Sequence, residues 1–116
     1  MVGFAADLER ETATAARHAR AVEVGRAFAE IVRDEPFVRE LWVTADTEET
    51  GIYLWLITDP IGLDEIRALY ETPMDRMYER FPDGGFSLQI LNPGHTIGDV
   101  HRAVRPEAER IPLRAG

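Results

Sequence analysis

The chain has no cysteine among its 116 residues. That excludes a disulfide framework, a zinc–thiolate centre and a thiol nucleophile. It has no lysine either: all 13 basic residues are arginine. A GC-rich genome, or adaptation to heat or salt, produces such a bias, and composition does not separate them. No apolar run approaches the roughly 20 residues that a membrane helix needs, so no membrane partner is expected. The N-terminus, Met1-Val2-Gly3-Phe4-Ala5-Ala6-Asp7, turns charged too early for a signal peptide, and the cytoplasm is the expected address.

Positive charge is also scarce. The 21 acidic residues outnumber the 13 arginines, for a net charge of -8. A net acidic chain repels phosphate backbones, so nucleic acid is not an expected partner. The imbalance is uneven. Residues 1–100 hold 19 acids and 9 arginines, whereas residues 101–116 hold 2 glutamates and 4 arginines. Two readings of this basic tail stay open: it lies against the acidic body or a partner, or it is solvated and mobile.

What is present begins with Gly51 to Asp59, a run of β-branched and aromatic residues closed by Asp59-Pro60. Such a run fits a strand buried on both faces. From Ile52 to Ile57 it carries no carboxylate, histidine or serine, so it reads as structure rather than chemistry. Upstream, Asp7 to Glu35 is rich in alanine, glutamate and arginine and predicts a long helix stopped by Pro36. Ala21, Val24, Phe28, Ile31 and Val32 share one face of it, while its earlier half offers mostly alanine. Residues 1–8 are expected to fray. Leu41 to Ala45 predicts a short strand, and the polar turn Asp46 to Gly51 joins it to the apolar run as a hairpin.

Leu63, Ile66, Leu69, Tyr70, Met74, Met77, Tyr78 and Phe81 then recur at helical spacing. Pro73 falls within that pattern and either kinks one helix or starts a second. Phe86 to Leu91 predicts a third strand, half buried or near an edge. Residues 93–116 read as an irregular tail, with Val100 to Val104 a short helix or strand and Pro106 to Arg110 one helical turn. A single domain over residues 1–116 is expected. Its order is α-β-β-α-β, an α+β fold with a small mixed sheet and helices on one face. The helical crossover makes strands two and three parallel.

This order, over Val24 to Asn92, resembles the minimal core of nucleotidyltransferase-like proteins. In that family a Gly-Ser pair after the first strand holds the triphosphate, and here the matching segment is the acidic Asp46-Thr47-Glu48-Glu49-Thr50. The family also places metal carboxylates on the second strand and on the next core strand. The matching stretches, Ile52-Tyr53-Leu54-Trp55 and Ser87-Leu88-Gln89-Ile90, carry none. The resemblance therefore implies a degenerate domain without the metal site, and a shared fold does not confer the activity.

Other candidates read as structure. His95, Asp99 and His101 gather imidazoles and a carboxylate, but at no known ligand spacing, and no fourth ligand is evident. The Asp46–Glu49 turn lacks an EF-hand pattern. Tyr53, Trp55, Tyr70, Met74, Met77 and Tyr78 are core-type residues with no phosphate loop beside them. His18 has no neighbouring acid in sequence and reads as a solvent-facing helix residue. Asp59 reads as a turn initiator and helix cap.

No catalytic residue, metal or cofactor is therefore assigned. The expected function is a non-catalytic protein-interaction or regulatory module that self-associates as a homodimer, most simply through the first helix, with a second protein as a further possible partner. The alternative is a small-molecule binder or enzyme with a site at the strand ends, where Asp59, Asn92, His95 and Asp99 would gather.

Overall fold

A computed structural model describes residues 2–45, 51–93 and 100–113. The fold is α+β: two helices and a four-stranded mixed sheet. Helix α1 spans Val2–Val32, β1 Val38–Ala45, β2 Ile52–Thr58, α2 Leu63–Arg80 and β3 Phe86–Leu91. A 3-10 turn at Val100–Ala103 precedes β4, Glu109–Ile111.

The strand order is β3-β2-β1-β4. β1 and β2 form the expected antiparallel hairpin, with Trp42 opposite Trp55. β3 runs parallel to β2, as its helical crossover requires, with Trp55 opposite Gln89. β4 pairs antiparallel with the other side of β1, setting Arg110 opposite Trp42. The C-terminal stretch thus closes the sheet, where sequence suggested a helical turn. Three residues flanked by Pro106 and Pro112 have no periodicity of their own, and the open side of β1 supplies the pairing.

The core lies between the helices and one sheet face. Ala21, Val24, Phe28 and Val32 of α1 pack with Leu41, Val43, Leu54, Leu56, Leu88 and Ile111. Burying a side chain such as Phe28 contributes about 1.5–3 kcal/mol. Gly25 permits the close approach: a Cβ there would lie 3.0 Å from Ile111 Cγ1 and 3.3 Å from Val43 Cγ1. Met74 and Met77 of α2 complete this layer. α2 runs unbroken through the buried Pro73, which settles the open choice in favour of one helix.

α1 is only partly used by the core. Residues 14–20 are all exposed. Seven consecutive helical residues span about two turns, so no face of that stretch is buried. The molecule measures 57 × 34 × 29 Å, and its radius of gyration is 15.8 Å. A compact chain of this length has a radius near 13 Å.

Candidate functional site

Asp59 follows β2, and its carboxylate is already engaged. Arg39 sits where the β1–β2 register shifts between Val38 and Glu40. Such an irregularity re-aims a side chain. Its guanidinium grips Asp59 bidentately, Nε to Oδ1 at 2.7 Å and Nη2 to Oδ2 at 2.6 Å. The hydrogen bond from Arg39 holds the Asp59 carboxyl below its ordinary range, reinforced by the positive charge and opposed by partial desolvation. The same hydrogen bond, with the carboxylate's charge, raises the guanidinium. A carboxylate with lowered proton affinity is a poor general base at neutral pH. Asp59 does not cap α2 either; the N-cap is Gly62, with no side-chain hydrogen bond.

Asn92 follows β3 and is buried. Its Nδ2 donates to the Ile61 carbonyl at 2.7 Å, and the Ile61 N–H donates to its Oδ1 at 3.4 Å. It clamps the loop after β2 to the end of β3, which is a structural task. His95 and Asp99 lie outside the described residues, as does the acidic turn of residues 46–50. Beside Asp59, a groove of about 460 Å³ is lined by Val38, Arg39, Arg110, Pro112 and Leu113. Both of its guanidiniums face carboxylates, since Arg110 Nε lies 3.7 Å from Glu40 Oε1.

The sheet face away from the helices carries what sequence reading missed. Gln89, Trp55, Trp42 and Arg110 form one row across all four strands. β2 is therefore sealed on its helix face but only half-buried at Tyr53 and Trp55, which corrects the expectation of a strand buried on both sides. The Trp55 indole donates to Thr44 Oγ1 at 3.1 Å. The Trp42 indole N–H and the Gln89 amide oxygen are buried with no hydrogen-bond partner among the described residues.

The C-terminal stretch folds back onto this face. His101 Nε2 lies 2.7 Å from Glu40 Oε2, and the Arg105 guanidinium sits 4.7 Å from the Tyr53 ring centroid. Of the two readings of the basic tail, contact with the acidic body holds for these residues. His18 likewise has an acid neighbour that its local sequence concealed: Glu109 of β4, at 3.2 Å. Both side chains are about half exposed, so the pair is a surface contact. Among the described residues, no three histidine or carboxylate groups stand close enough to hold a metal ion. No helix among them is long and apolar enough to cross a membrane.

No protein-family model, curated protein or solved structure matches the chain.

Proposed function

We propose that the chain is a small non-catalytic interaction module that self-associates. The observation that supports this reading is α1: residues 14–20 are all exposed, and none of them joins the buried core. Strong helix formers, Ala15, Ala16 and Ala19 among them, support those turns, and the tertiary contacts there are at the surface, His18 with Glu109 and Arg20 over the Phe81 ring. A helical stretch with its alanines in solvent offers a surface on which a second copy can pack.

The strand-end alternative has less support. Asp59 is committed to Arg39, and Asn92 to Ile61. The stretches that match the metal-carboxylate strands of nucleotidyltransferase-like proteins, Ile52-Tyr53-Leu54-Trp55 and Ser87-Leu88-Gln89-Ile90, carry no carboxylate. Light scattering on the full chain tests the proposal. The expected mass is twice 13.1 kDa, and a monomer mass at every concentration contradicts it.

A further inference from the structure

The two edges of the sheet are built differently. β4 is three residues long, holds Glu109 and Arg110, and is followed by Pro112. Short length, charge and proline are the devices by which proteins blunt an edge against pairing. β3 has none of them. Its six residues, Phe-Ser-Leu-Gln-Ile-Leu, include no charge and no proline, and its register with β2 is regular throughout.

The direction of its backbone groups follows from the ladder. Ile52 N–H donates to the Gly85 carbonyl at 2.8 Å, so Gly85 faces β2. Alternation then turns Ser87, Gln89 and Leu91 towards β2 and leaves Phe86, Leu88 and Ile90 facing outward. Among the described residues, no strand pairs with that outer side. Among the described residues, the hydrogen bond made there runs from the Tyr70 hydroxyl to the Leu88 carbonyl, at a long 3.3 Å. A carbonyl has a second lone pair, so Leu88 can still accept from a backbone N–H. Two half-exposed rings of α2 flank the edge: Tyr70, and Tyr78 stacked on Phe86 at 5.1 Å.

We infer that the outer edge of β3 pairs antiparallel with β3 of a second copy, joining two sheets into one of eight strands. This rests on the reading that the chain self-associates, but it places the contact between copies on the sheet edge instead of α1. The strand is its own complement. With a two-fold axis at Leu88, Leu88 pairs with its own copy and Phe86 with Ile90 of the second copy, so every outward donor meets an acceptor. No charged side chain on β3 opposes its equivalent, although each copy carries a net charge of -8. The tyrosines of the two copies wall the junction, and both α1 arms remain free.

Residue-resolved amide hydrogen exchange at high and low protein concentration tests this. Ser87, Gln89 and Leu91 are expected to stay protected at both, because β2 holds them. Leu88 and Ile90 are expected to be protected only where the dimer is populated. Tyr70→Lys, an exposed change that sets like charges near the axis, is expected to abolish the dimer. A dimer whose Leu88 and Ile90 amides exchange independently of concentration overturns the proposal. So does a dimer that survives Tyr70→Lys and is lost in Ala19→Glu, which assigns the contact to α1. A chain that is monomeric at every concentration removes self-association itself, and with it the parent reading.

Discussion

Trp42 and Trp55 face each other across β1 and β2, yet their indoles stand in opposite situations. Trp55 donates to the buried hydroxyl of Thr44, whereas the buried Trp42 N–H has no partner among the described residues. Replacing either by phenylalanine removes similar packing. The difference between the two isolates the hydrogen bond. Trp55→Phe strands the Thr44 hydroxyl, and Trp42→Phe removes an unmet donor. Trp55→Phe is therefore expected to cost about 1–3 kcal/mol more than Trp42→Phe in urea unfolding. Equal costs would show that the Thr44 contact contributes nothing. The Arg39–Asp59 pair makes a second prediction at this scale. Its hydrogen bond lowers the Asp59 pKa in the folded state. Asp59 thus contributes stability above its unfolded pKa, near 3.9, and that contribution is lost as pH falls through the lower folded value. Carboxyl-carbon NMR is expected to show Asp59 titrating below the ordinary aspartate range, and Arg39→Ala to restore it. An unshifted midpoint in the wild type would contradict the geometry.

At the scale of elements, Gly25 sets how closely α1 lies on β1 and β4. Gly25→Val pushes a branched side chain against Ile111 and Val43, and is expected to destabilise by about 1–3 kcal/mol in the same unfolding assay. Unchanged stability would mean that β4 is not held against α1. The helices and the first three strands were legible in the sequence: a 3.6-residue period marks Val24 to Val32 and Leu63 to Phe81, alternation marks Phe86 to Ile90, and β-rich apolar runs mark Leu41 to Ala45 and Ile52 to Ile57. β4 was not, because three residues between prolines have no pattern and owe their conformation to β1. The partners of the candidate site were hidden for a related reason. Arg39 lies twenty residues before Asp59, and Ile61 lies thirty-one before Asn92. Local pattern marks a polar residue at a strand end and says nothing of what engages it.

At the scale of the whole molecule, one sheet face is sealed by helices and the other is crossed by the C-terminal stretch. Among the described residues, two surfaces stand out: the exposed stretch of α1 and the unpaired edge of β3. Both suit contact between proteins. The charge of each copy opposes dimerisation at long range, while the proposed junction itself is neutral. Salt therefore has a predicted sign. Raising ionic strength from about 0.01 M to about 0.15 M shortens the screening length from about 30 Å to about 8 Å and weakens that repulsion. Sedimentation equilibrium of the full chain at both ionic strengths tests the central claim most directly. A mass approaching twice 13.1 kDa, reached at lower protein concentration in the higher salt, is the predicted result. A mass of 13.1 kDa at every concentration and both ionic strengths would contradict it.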